Sequence, residues 1–105
     1  MSTDFKLEID RKFKAKFEKE MGPFTFARFM RSARSMLGLT QEEFGKKLGL
    51  SRANVCDIEK GRYLVGVEMA IKVAKKAGLS EKLALVACLQ DQVRKAGSDV
   101  KISIA

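Results

Sequence analysis

The sequence contains no histidine, and its only two cysteines, Cys56 and Cys88, lie far apart without the CxxC spacing of a metal or redox site. These absences exclude a zinc site and a histidine-dependent catalytic triad. Because metal ligands and a nucleophile with its base are both missing, we expect no enzymatic activity and no cofactor. Both cysteines are interpreted as free thiols in helices of a protein that works in a reducing cytosol.

The sequence also lacks a long hydrophobic run. The apolar stretch at residues 83–89 is too short to cross a membrane. The N-terminus alternates charged with apolar residues, unlike a signal peptide. We therefore expect a cytoplasmic protein with no membrane partner.

Positive charge is concentrated in the middle of the chain. The 105 residues carry a net charge of +8 and leave room for one domain but not for an additional ligand-sensing domain. Residues 1–24 contain six basic and five acidic side chains, residues 25–80 contain eleven and five, and residues 81–105 contain four and three. This pattern predicts an N-terminal extension, a central core that binds a polyanion, and a C-terminal helix with a tail.

The first half of the central motif has the signals of a short capped helix. Thr40 is suited to be an N-cap, and Glu43 stands three residues later, as in a capping box. These signals predict a helix over residues 41–48. Gly49 ends that helix, and only Gly49 and Leu50 form the turn that follows.

The second half repeats this arrangement. Ser51 is a second candidate N-cap, and Val55 and Ile58 have the spacing of inward-facing helical residues. The pattern predicts a helix from residue 52 to about residue 60, stopped by Gly61. Two short helices around a tight turn are typical of a helix-turn-helix that reads DNA.

This motif resembles the Cro/CI-type (XRE-like) helix-turn-helix family of DNA-binding regulators. The resemblance covers residues 26–80, and it rests on the motif together with two flanking patterns, Met30-Arg31-x-x-Arg34-x-x-x-Gly38-Leu39-Thr40-Gln41 and Val67-Glu68-x-x-Ile71-x-Val73-Ala74-x-x-Ala77-Gly78-Leu79-Ser80. Three positions depart from the family: Gly45 replaces a favoured alanine, Val65 a frequent proline, and Gly66 a serine or threonine cap. The resemblance implies an all-α fold, a five-helix Cro/CI repressor-like bundle.

The flanks of the motif are predicted from periodicity. Further helices are expected over residues 26–37, 67–77 and 81–95. The tail at residues 100–104 alternates like a short edge strand. Near the N-terminus, Phe5, Ile9, Phe13 and Phe17 fall at helical steps, yet residues 5–9 also alternate as a strand would. We favour an extended piece at residues 5–9 followed by a helix over residues 10–20.

Within the second motif helix, the outward residues are candidates to read base edges in the major groove of double-stranded DNA. Arg52 is suited to guanine, Asn54 to adenine, and the methyl group of Ala53 to thymine. Asp57 has two interpretations: it accepts a hydrogen bond from cytosine N4, or it pairs with Lys60 one turn later.

Other side chains are candidates for the sugar-phosphate backbone. Lys60 and Arg62 lie beyond the end of the helix and are expected to contact phosphates. Ser51 stands at the start of the helix and completes the set of DNA-binding candidates. The family resemblance implies that Gln41 also contacts a phosphate, and that Arg34 and Glu59 form an internal ion pair that sets the angle between helices.

These features lead to two hypotheses about function. The first is a transcriptional repressor that binds a palindromic operator as a homodimer and controls its own operon. The alternative is an antitoxin, in which residues 1–24 and the tail bind a toxin protein. Dimerisation is assigned to residues 81–105, because the predicted helix there has more apolar surface than one core contact needs.

Overall fold

The computed structural model describes residues 3–62 and 64–103. This part of the chain contains six helices and no strand. They are α1 (Thr3–Met21), α2 (Phe26–Leu37), α3 (Gln41–Leu48), α4 (Arg52–Glu59), α5 (Val67–Ala77) and α6 (Glu81–Lys95). The expected all-α class is confirmed. The described residues contain six helices instead of the five of the expected bundle, because the N-terminal extension contributes α1.

The core forms where α2 meets α4, α5 and α6. The largest fully buried side chains come from α2, α3, α4, α5 and α6, and they are Phe26, Phe29, Phe44, Met30, Leu48, Ile58, Val55, Val73 and Cys88. The buried thiol of Cys88 donates a hydrogen bond to the Val65 carbonyl oxygen, 3.1 Å away, and burial raises its pKa. Both cysteines are free, as expected.

The extended piece expected at residues 5–9 is wrong, because α1 is one continuous helix from Thr3. A strand in this position would have no neighbouring strand to pair with among the described residues, whereas a helix satisfies its own backbone groups. The C-terminal part of α1 packs on the core through Phe17, whose ring lies edge-on to Phe24 at 5.0 Å. Asp10 is buried and accepts a 2.8 Å hydrogen bond from the Ser80 hydroxyl at the start of α6.

The strand expected at residues 100–104 is also wrong over its described part, residues 100–103. The side chain of Gln90 replaces a partner strand: its Nε2 donates to the Val100 carbonyl oxygen at 2.9 Å, and its Oε1 accepts from the Ile102 amide at 2.7 Å. Ile102 packs against the core. Residue 104 lies outside the described residues.

The apolar surface of α6 is mostly covered within the chain. Helices α1, α2 and α5 all pack against α6. Its apolar side chains Leu83, Ala84, Val86, Ala87 and Cys88 are buried, while Leu89 remains partly exposed. The excess of apolar surface on α6, which suggested a subunit interface, is therefore smaller in the structure than the sequence indicated.

The turn between α3 and α4 depends on two glycines. Gly49 has a φ of 74°, in the left-handed region that favours glycine. Gly45 lies within α3, and a Cβ atom added there would come within 2.5 Å of the Leu50 carbonyl oxygen. The missing side chain lets the turn approach α3 closely, and this gives a steric reason for glycine where the family favours alanine.

Candidate nucleic-acid interface

The exposed side of α4 presents a short run of polar and small residues to solvent. Val55 and Ile58 are buried against the core, which turns Arg52, Ala53 and Asn54 outward, and all three are exposed. Ser51 is the N-cap, and its hydroxyl accepts a 3.1 Å hydrogen bond from the Asn54 amide. The start of α4 is thus held by its cap, while three neighbouring side chains remain free to contact a ligand.

At the other end of α4, the partner of Asp57 differs from the one that we considered. Asp57 pairs with Arg62, with 2.9 Å between Oδ1 and Nη1, and not with Lys60. The reason is the left-handed conformation of Gly61, with a φ of 69°, which turns the chain back so that the Arg62 amide donates to the Asp57 carbonyl oxygen at 2.9 Å. Both side chains of the pair are substantially exposed, so they remain accessible.

Glu59, the last residue of α4, has a buried carboxylate that links three helices. It accepts from Arg34 on α2 through Nε at 2.8 Å and Nη2 at 3.1 Å, and from Nε2 of Gln41 on α3 at 3.3 Å. Only 3% of the surface of Glu59 is exposed to solvent. The hydrogen bonds to Glu59, and to a smaller extent its negative charge, raise the pKa of Arg34, so the guanidinium remains charged.

Two further contacts reinforce this junction. Arg34 Nη1 donates to the Leu39 carbonyl oxygen at 3.0 Å, and Arg31 Nη2 donates to the Glu59 carbonyl oxygen at 2.8 Å. Sequence reasoning missed the contact of Arg31, although its position one helical turn before Arg34 was a usable signal. Gln41, expected at a phosphate, directs one amide hydrogen to Glu59 and is only partly exposed.

The start of α3 is a capping box. The Glu43 amide donates to the Thr40 hydroxyl at 3.1 Å, and the Thr40 amide donates to Glu43 Oε1 at 2.9 Å. The hydrogen bond from the Thr40 amide to the Glu43 carboxylate, and after it the side-chain hydrogen bond with Thr40, lower the pKa of Glu43. The capped helix places Gln41 at its first position, beside α4.

Comparison with known proteins gives the family. A family model described as Helix-turn-helix matches residues 30–83, about half of the chain. An uncharacterized HTH-type transcriptional regulator of Methanocaldococcus jannaschii is 46% identical over 46 residues, which are 44% of this chain and 70% of that protein. An uncharacterized HTH-type transcriptional regulator of Methanothermobacter thermautotrophicus is 39% identical over 49 residues, which are 47% of this chain and 71% of that protein.

A third relative, from Bacillus subtilis, is also an uncharacterized HTH-type transcriptional regulator, 35% identical over 46 residues, 44% of this chain and 70% of its own. No solved structure matches this chain. Among the described residues, no helix is both long enough and apolar enough to cross a membrane. The motif, the geometry of α3 and α4 and these relatives agree: the chain belongs to the Cro/CI-type helix-turn-helix family of DNA-binding transcriptional regulators.

Proposed function

We propose that the protein is a repressor that binds a palindromic operator as a homodimer and controls its own operon. The observation that carries this proposal is the exposed start of α4, where Arg52, Ala53 and Asn54 all face solvent beside a fixed N-cap. The major groove admits one helix, and side chains near its N-terminus reach the base edges.

Each of these side chains has a base that it suits. Arg52 is able to donate two hydrogen bonds to guanine O6 and N7, Asn54 forms the equivalent pair with adenine, and Ala53 offers an apolar contact to the thymine methyl group. Asp57 is able to accept a hydrogen bond from cytosine N4 through the edge of its carboxylate that does not pair with Arg62. Sequence preference would therefore come from a few residues of α4.

The remaining candidates position the protein on the phosphates. Lys60 and Arg62 follow the end of α4 and are exposed. Ser51 and Gln41 stand at helix N-termini, where backbone amides favour anions. Gln41 has a second amide hydrogen that is not directed to Glu59, which leaves it able to donate to a phosphate.

Dimerisation is the second part of the proposal. Two copies of α4 must lie about 34 Å apart to enter successive major grooves. We assign the contact to residues 81–105, in which Leu89 and Val100 are 38% and 59% exposed. Because most of the apolar surface of α6 is covered, this interface is expected to be small, and DNA is expected to strengthen the dimer.

A footprint on the DNA upstream of the protein's own gene tests the repressor. We expect two protected half-sites about one helical turn apart, with wild-type protein and a variant truncated after Lys95 compared on the same fragment. The truncated variant should retain its helical circular dichroism, sediment as a monomer and protect the half-sites only at higher concentration. Equal protection by both proteins, with the truncated one still dimeric, would show that the tail at residues 96–105 is not needed for the interface.

The antitoxin alternative concerns residues 1–24 and the tail, which would bind the toxin protein. In the described residues, α1 and the tail lie against the core through Phe17 and Ile102, which reduces the surface that they offer to a second protein. Copurification with the product of the adjacent gene distinguishes the two functions. A stable complex, lost when residues 1–24 are deleted, would favour the antitoxin.

A further inference from the structure

An open cleft lies beside the C-terminal end of α4. Its volume is about 660 Å³, and it is formed by the start of α2, the loop between α4 and α5, and the last turns of α6. Buried Phe26, Ile58 and Val65 contribute to its lining. The charged side chains around it are Arg28, Arg31, Glu59, Lys60, Asp91, Arg94 and Lys95.

The two carboxylates of this cleft already have partners. Glu59 pairs with Arg34, with 2.8 Å between Oε2 and Nε. Asp91 accepts from the Phe26 amide at 3.0 Å and pairs with Arg94, with 3.3 Å between Oδ1 and Nη1. Neither carboxylate is therefore available to neutralise the other cations of the cleft.

Four of those cations lack a carboxylate partner within the part of the chain that the structure describes. The guanidinium groups of Arg28 and Arg31 donate to main-chain carbonyl oxygens, those of Pro23 at 3.0 Å and Glu59 at 2.8 Å. Lys60 and Lys95 are exposed and form no ion pair there. The cleft thus combines a concave shape with uncompensated positive charge, as a site for a polyanion does.

We propose that this cleft binds the phosphodiester backbone of DNA next to the base pairs that α4 reads. The proposal rests on the proposed function and extends it, since Arg28 and Lys95 lie outside residues 30–83, which the family model matches. Continuity favours DNA over an acidic protein segment: the cleft begins at Lys60, directly after α4, where a phosphate contact is already expected. DNA whose major groove holds α4 would pass this edge of the protein.

The logarithm of the DNA association constant falls linearly with the logarithm of the salt concentration. The magnitude of this slope is about 0.9 for each phosphate that the protein contacts on duplex DNA. We would measure this slope for the full chain on a mixed-sequence 30-base-pair duplex, with wild-type protein and the double variant Arg28→Gln/Lys95→Gln. The Arg28 side chain donates to Pro23 and takes no part in the hydrogen bonds between Arg34 and Glu59, and circular dichroism and thermal unfolding verify the fold of the variant. Lys16→Gln/Lys19→Gln, on the exposed side of α1 and outside the cleft, removes the same charge and is the matched control.

We expect the cleft variant to lower the slope by about 1.8, the value for two lost contacts, and the control to lower it by much less. An unchanged slope in the cleft variant, on DNA that the wild type binds with a steep salt dependence, would overturn the cleft proposal and leave the repressor intact. A flat salt response of the wild type itself would instead refute the proposed function. Binding of a deca-glutamate peptide by wild type but not by the cleft variant, with the DNA slope unchanged, would replace DNA by an acidic protein segment and also overturn the proposal.

Discussion

Removing the guanidinium of Arg34 should destabilise the protein far more than removing an exposed cation. In Arg34→Ala the Glu59 carboxylate, whose residue is 3% exposed, keeps only the 3.3 Å hydrogen bond from Gln41. Removing one partner of a buried ion pair costs about 3 to 5 kcal/mol. The lower end applies here, because the Arg34 side chain is 23% exposed and water is able to reach the site.

Urea unfolding followed by circular dichroism measures this loss. We expect the free energy of unfolding to fall by about 3 kcal/mol in Arg34→Ala, and by less than about 1 kcal/mol in the control Arg94→Ala, whose pair with Asp91 is half exposed on the arginine side. The double variant Arg34→Leu/Glu59→Leu should recover part of the loss, because replacing both partners by apolar groups removes the stranded charge. Similar losses in Arg34→Ala and Arg94→Ala, or no recovery in the double variant, would refute the view that a buried charge dominates this junction.

Three other perturbations test separate parts of the structure. Gly45→Ala should lower the free energy of unfolding by up to about 2 kcal/mol, because the clash with the Leu50 carbonyl oxygen outweighs a gain of ~1 kcal/mol in helix propensity; a melting temperature equal to or above that of wild type would contradict this. The pKa of Glu43 is lowered from 4.5, so its contribution to stability is present above that pH and is lost as the pH falls through the lower folded value. Glu43→Gln, which keeps the capping acceptor, should therefore lose less stability between pH 7 and pH 3 than wild type, and equal losses in the urea midpoints would rule this out. Asp57→Ala should strengthen binding to mixed-sequence DNA about fivefold, because it removes about 1 kcal/mol of repulsion and releases Arg62; weaker binding in a fluorescence anisotropy titration would show that the pair holds Arg62 in its binding position.

Helix ends could be predicted from the sequence because local hydrogen bonds decide them. Thr40 caps α3 in the expected capping box, Ser51 caps α4, and Gly49 takes the left-handed conformation that ends α3. Each of these contacts joins residues within five positions of each other. A short stretch of sequence contains everything that such a contact requires.

The errors arise where the partner of a segment is distant in sequence. Alternating residues in the tail predicted a strand, but the side chain of Gln90, ten positions before Val100, satisfies its backbone groups. Residues 5–9 alternate as well, yet they continue a helix. In both cases a period of two was compatible with a strand without requiring one, because a strand also needs a neighbour with which to pair.

Charge partners around α4 depend on a turn and on packing that helical spacing alone does not give. Spacing along a helix suggested Lys60 for Asp57, whereas the turn at Gly61 presents Arg62 instead. The cations of the cleft come from α2, α6 and the loop that follows α4, and only the packing of these elements brings them together. Their positions in the sequence gave no sign of a shared site.

The central claim is that α4 reads bases while the residues after it hold phosphates. A binding-site selection experiment with wild type, Arg52→Ala and Lys60→Ala tests this division most directly. Arg52→Ala should lose its preference at one base pair in each half-site, at a cost of about 1 to 3 kcal/mol for the preferred base. Lys60→Ala should bind all sequences more weakly, retain the wild-type preferences and lower the salt slope by about 1. Identical selected sequences for both variants, or a loss of base preference in Lys60→Ala alone, would contradict the account.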